Sequence, residues 1–135
     1  MDAVTTSRTR PILPLLVDAV LVVVFAAIGR ATHDGDVLGP AGSGLATTAW
    51  PFLVALLVGW LVSRAWRAPL APVRVGLPVW AVTVAVGMVL RALSGQGVAV
   101  AFVIVASITL AVFLIGWRTV ARIVAQLRSR GRRPV

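Results

Sequence analysis

Four continuous apolar runs, about residues 12–30, 45–64, 76–93 and 98–118, occupy most of this 135-residue chain. A soluble domain has too little interior to hide them. Hydrophobic residues make up 59% of the sequence and mean hydropathy is +0.99, well above the roughly 45–50% apolar share of globular chains. A bilayer asks only for about 20 mostly apolar residues per helix to cross roughly 30 Å of hydrocarbon. The runs show no alternation of polar and apolar positions, so they fit helices rather than the strands of a membrane β-barrel. Their Val and Ile content weakens helix propensity in water, but in lipid every backbone N–H and C=O must bond internally, and that demand outweighs propensity. The expected architecture is an all-α integral membrane four-helix bundle: residues 1–11 lead in, residues 12–127 form the helical domain, and residues 128–135 form a basic tail.

Arginines set the expected orientation. All thirteen basic residues are Arg, and eleven lie before the first span, between the second and third, or after the fourth. Only Arg30 and Arg91 lie at the opposite ends. This bias predicts a multi-pass protein of the cell membrane with both termini in the cytoplasm. Trp60, Trp66, Trp80 and Trp117 fall near the same inner boundary, where indoles favour headgroup depth, and Trp50 falls toward the outer end of the second span. A cleaved signal peptide is the rival reading of the first run. It is disfavoured by Asp18 inside the apolar stretch and by the length of that stretch.

The connections differ in composition. Residues 31–44 are rich in Gly and acidic residues and predict a mobile outer loop. Residues 67–78 carry Pro69, Pro72 and Pro78, predicting a stiff, extended link before the third helix. Ser94, Gly95, Gln96 and Gly97 predict a tight turn that makes the third and fourth helices antiparallel neighbours. Beyond Trp117, the apolar residues Val120, Ile123, Val124 and Leu127 alternate with Arg118, Arg122 and Arg128 at helical spacing, so the fourth helix is expected to run on along the inner surface. Its charge suits anionic headgroups, at about 1 kcal/mol per well-placed arginine. Nucleic acid is not an expected partner, because the aromatics gather at the membrane boundary instead of on a basic folded face.

Asp18 is the sharpest intramembrane feature. It lies about six residues into its helix, roughly 9 Å deep. A buried aspartate costs about 2.5–3.5 kcal/mol at a helix centre, so Asp18 should face the bundle and find a partner. Thr83 and the indole of Trp60 are the candidate donors, whereas Arg64 or Arg118 would have to reach inward. Interhelical polar contact is preferred here over a proton or cation site, because the runs hold no second acid to complete a relay. Thr83, Gly87 and Arg91 recur at i, i+4 and i+8 and share one helix face. Gly59 with Ser63, Gly87, and Ser107 with Ala111 are small residues spaced for close helix contact.

At the other end, Arg30, His33, Arg91 and Gln96 form a candidate outer polar site. Two arginines and a histidine suit a carboxylate, phosphate or lipid headgroup. The alternative is that each arginine snorkels to the headgroups and caps its helix. Arg30 and Asp34 would pair at i, i+4 if the helix extends that far. One histidine and no cysteine or glutamate leave no ordinary zinc site or nucleophile triad within one chain, so neither cofactor, metal nor enzymatic activity is expected.

The two halves echo each other: Gly29-Arg30-Ala31 against Leu90-Arg91-Ala92, and Gly59-Trp60 against Gly116-Trp117. Two hairpins of this kind would form a parallel repeat about an axis along the membrane normal. These residues, with Asp18, Thr32-His33, Ala49-Trp50-Pro51-Phe52, Trp80, Thr83, Gly87, Gly95-Gln96-Gly97, Phe102 and Arg118, resemble the bacterial and archaeal membrane family called domain of unknown function 3054. The resemblance implies a small four-helix membrane protein and brings no catalytic residues. Two function classes follow from the sequence: a structural or accessory component that packs against other membrane proteins or copies of itself, or a small transport unit for a solute, ion or proton that works as an oligomer.

Overall fold

The computed structural model describes residues 11–33 and 36–132. Its elements are α1 (Ile12–His33), α2 (Ser43–Ser63), α3 (Leu77–Leu93) and α4 (Val100–Gly131). All four are long and apolar enough, with their flanking turns, to cross a membrane. Each helix packs on its neighbours in sequence, α2 most extensively on α3, and α4 closes the ring on α1. Residues from opposite ends of adjacent helices meet, so neighbours run antiparallel.

Each helix turns inward a row of residues four apart, the spacing that lets one helix seat against the next. The rows are Asp18, Val22 and Ala26 on α1; Phe52, Leu56 and Trp60 on α2; Val79, Thr83 and Gly87 on α3; and Ala106, Leu110, Leu114 and Arg118 on α4, all buried. Outside these rows the helices present apolar side chains outward, among them Leu16, Val20, Leu61, Val89, Ile104 and Ile108, each more than half exposed. Water would penalise that surface at about 25 cal/mol per Å², whereas lipid does not.

Glycines bring α2 and α3 together. A Cβ on Gly59 would stand 3.2 Å from the Val79 carbonyl oxygen, and one on Gly87 would stand 2.5 Å from the Phe52 ring. The Phe52 ring in turn meets Phe25 edge-on at 5.2 Å between centroids and Phe102 at 6.2 Å. Of the other small residues expected at contacts, Ser63 and Ser107 bond their hydroxyls to carbonyls of their own helices, Gly59 and Val103. Ala111 is half-buried.

Several boundaries depart from the sequence reading. Helix α1 continues to His33, and a 3-10 turn at Pro40–Gly42 leads into α2, so the loop is shorter than residues 31–44. The link before α3 is coiled instead of extended: a 3-10 turn covers Ala65–Arg67 and a five-residue π-turn covers Pro72–Gly76. Proline fixes φ near −65°, which suits a helical turn as well as an extended chain. Burial of Ala65, Val75 and Gly76 selects the turn. Helix α4 is unbroken for 32 residues, about 48 Å at 1.5 Å per residue. Its residues 119–131 are exposed apart from half-buried Ala121, so the last part projects past the bundle and through the boundary expected at residue 127.

Candidate functional site

Arg118 reaches back into the bundle and grips Asp18. Its Nη1 donates to Asp18 Oδ1 at 2.8 Å and its Nη2 to Oδ2 at 2.6 Å, with both side chains 0% exposed. Two indoles complete the carboxylate: Trp60 Nε1 donates to Oδ2 and Trp117 Nε1 to Oδ1, each at 2.8 Å. Four donors thus occupy the roughly four lone-pair positions a carboxylate offers. Arg118 also donates Nε to the Pro69 carbonyl at 2.8 Å and Nη1 to the Leu114 carbonyl at 2.7 Å. The cluster therefore ties α1, α2, α4 and the link between α2 and α3 at one point. Gly76 makes room for it, since a Cβ there would stand 3.2 Å from Arg118 Cδ.

Of the expected partners of Asp18, the structure brings Trp60 and leaves Thr83 away. Thr83 is buried on the same side of α3 as Gly87, but its Oγ1 has no hydrogen-bond partner. Arg64 is exposed and ends α2 in a left-handed conformation at φ 52°. Arg118 does reach inward, so topology alone does not account for it. The boundary tryptophans need the same correction. Trp60 and Trp117 serve Asp18, and Trp80 donates Nε1 to the Ser107 carbonyl at 2.8 Å. Only Trp66 of that group is largely exposed, at 47%. Indole N–H groups near a membrane boundary have two outlets, headgroups or interior acceptors, and here three take the interior.

At the opposite end of the bundle, Arg30 and Arg91 line one cavity of about 330 Å³ together with Thr48, Gln96, Phe25 and Phe102. The structure thus brings Arg30, Arg91 and Gln96 together. The side chain of His33 and the proposed Asp34 partner of Arg30 lie outside the described residues. Arg30 donates Nε to the Val37 carbonyl at 2.8 Å and Nη2 to the Asp36 carbonyl at 3.0 Å, and it lies over Gly44, where any Cβ would collide with the guanidinium. Arg91 donates Nε to the Gly97 carbonyl at 2.9 Å and Nη1 to Gln96 Oε1 at 3.1 Å, while its guanidinium stacks 4.2 Å from the Phe102 ring centroid. Both arginines fold onto their own connections. Among the described residues, no cluster of three His, Cys, Asp or Glu is placed to hold a metal ion.

Long apolar helices around a small set of interior polar contacts define a helical membrane protein. The chain belongs to the family described as Protein of unknown function (DUF3054), whose model matches residues 15–121, a span that contains Asp18, Trp60, Arg91, Trp117 and Arg118. Neither the comparison with curated proteins nor that with solved structures gave a match.

Proposed function

We propose that this protein is a structural or accessory component of the cell membrane, held as a closed bundle with both termini in the cytoplasm, and that it does not conduct solutes through a single chain. The closed interior carries this reading. At one end the polar groups of Asp18 are filled by Arg118, Trp60 and Trp117. Between that cluster and the opposite cavity stand Val22, Leu56 and Leu110 with Phe52, all at most 1% exposed. Permeation needs a polar path or a constriction that wets, and this core offers apolar packing. The two hairpins are read as a parallel repeat, supported by Trp60 and Trp117, which follow matching glycines and donate to the two oxygens of one carboxylate. The outward apolar faces are available to lipid, a second copy or another membrane protein, and the arginines of α4 to anionic headgroups.

Two measurements test the reading. The chain has no cysteine, so single cysteines can be introduced cleanly. A membrane-impermeant thiol reagent applied from outside should label Gly95→Cys and spare Ser129→Cys, and the reverse pattern would invert the topology. Proteoliposomes loaded with a pH-sensitive dye should leak no faster than protein-free vesicles. A protein-dependent proton flux that Asp18→Asn abolishes would replace the structural role with transport.

A further inference from the structure

We propose that the cavity between Arg30 and Arg91 is a binding site for an oxyanion, a phosphate or carboxylate, carried on an apolar body. This is independent of whether the bundle conducts. Two guanidiniums stand on the wall of one cavity, and the described residues lining it include no acid. Arg91 spends two of a guanidinium's five N–H donors, on Gly97 and Gln96. Among the described residues its remaining donors have no acceptor, while its orientation is fixed by the Phe102 ring beneath it. A planar guanidinium held in this way matches the two-oxygen edge of a carboxylate or phosphate. Arg30 is equally fixed, by the carbonyls of Asp36 and Val37 and by the space over Gly44.

The rest of the wall states what the anion is attached to. Phe25 and Phe102 contribute aromatic surface, and the Thr48 hydroxyl is already bonded to the Gly44 carbonyl. Beyond the arginines and Gln96, the wall therefore has little to offer a polyhydroxylated ligand. At about 330 Å³ the cavity falls at the small end of the roughly 300–1,000 Å³ range of ligand sites. It sits at the ends of membrane-length helices. An anionic lipid headgroup and a small soluble organic anion share the chemistry it recognises.

The test uses the full chain in non-ionic detergent, with native mass spectrometry and thermal unfolding as readouts. The probes are phosphatidylglycerol, phosphatidylcholine, inorganic phosphate and benzoate. The site predicts binding of phosphatidylglycerol or of the soluble anions, with phosphatidylcholine weaker. It also predicts a loss of roughly tenfold in affinity in Arg91→Gln, as expected for removal of a charge-assisted contact. Ala99→Trp, at an exposed residue on the cavity wall, fills the cavity without touching the core and should abolish binding even if Arg91→Gln fails to fold. Gln126→Ala, at an exposed uncharged residue on the projecting part of α4, should bind as the parent does. Phosphatidylglycerol binding alone assigns the site to lipid, and binding of phosphate or benzoate assigns it to soluble anions. Binding that is unchanged in both cavity variants, or lost equally in Gln126→Ala, would overturn the proposal, as would failure of every probe to bind the parent.

Discussion

The two ends of the bundle each hold arginine beside aromatic rings, yet one end is closed and the other is open. At the closed end, Arg118 meets a carboxylate and two indoles add their N–H groups, so charge and hydrogen bonds are matched within the protein. At the open end, Arg30 and Arg91 meet backbone carbonyls and an amide oxygen and face a shared cavity. A matched buried pair holds helices in register, whereas a guanidinium such as Arg91, with donors to spare beside a cavity, can take a ligand. Residue type is thus a poor guide to role. What separates the two ends is that Arg118 is enclosed with its carboxylate in the core, whereas Arg91 stands on the wall of a cavity.

This contrast predicts that substitutions at the closed end cost stability and those at the open end cost binding. The largest effect is expected from Asp18→Leu or Arg118→Leu, each of which strands a buried charge. Removing one partner of such a pair costs about 3–5 kcal/mol, read as a steep fall in unfolding temperature in detergent. The double variant Asp18→Leu with Arg118→Leu should recover much of that loss, because neither charge then needs a partner. A double variant no better than the worse single one would show that the pair contributes more than mutual neutralisation.

Trp60→Phe and Trp117→Phe each remove one N–H from Asp18 while keeping most of the ring, and should cost about 1.5–3 kcal/mol each as hydrogen bonds to a charged group. If both were silent in thermal unfolding, Arg118 alone would hold the carboxylate. Gly87→Ala should destabilise by about 1–3 kcal/mol, because its Cβ would stand 2.5 Å from Phe52 in a packed interior. Thr83→Val should stabilise, by up to about 1 kcal/mol, since it replaces a buried hydroxyl that has no partner with a methyl group. Arg91→Gln removes two hydrogen bonds and a stacking contact at a partly exposed site and should cost about 1 kcal/mol, well below the loss at Arg118. That variant should stand apart by losing anion binding with only a small fall in its unfolding temperature. A loss at Arg91 comparable to that at Arg118 would erase the distinction between the two ends.

Much of the frame was legible in the apolar runs, and Asp18 announced itself because a carboxylate in such a run demands an answer. Its answer was harder to read. Arg118 belongs to a series of arginines beyond the fourth span, where orientation supplies a sufficient reason for each of them. The available signal was register: Arg118 continues Ala106, Leu110 and Leu114 at intervals of four, as Arg91 continues Val79, Thr83 and Gly87. A polar residue in step with an inward row is placed to point inward, whatever its distance from the helix end. Thr83 shows the converse, since it lies in step with its row and is buried, yet no acceptor meets it. The tryptophans were ambiguous for a physical reason, because an indole near the boundary can satisfy its N–H in headgroups or in the interior.

By itself, the sequence determined that the chain is helical and that its helices are long enough to cross a bilayer. Those properties follow from local hydropathy and from the backbone's need to bond internally in lipid. Tertiary structure decided which donor met Asp18, that Trp60 and Trp117 shared it, that the proline-rich link coiled beneath Arg118, and that Arg30 and Arg91 faced one cavity. Each of these depends on the rotation of one helix against another. That rotation is set by packing at contacts such as Gly59 on Val79 and Gly87 on Phe52, between residues far apart in the chain, and no local pattern encodes it.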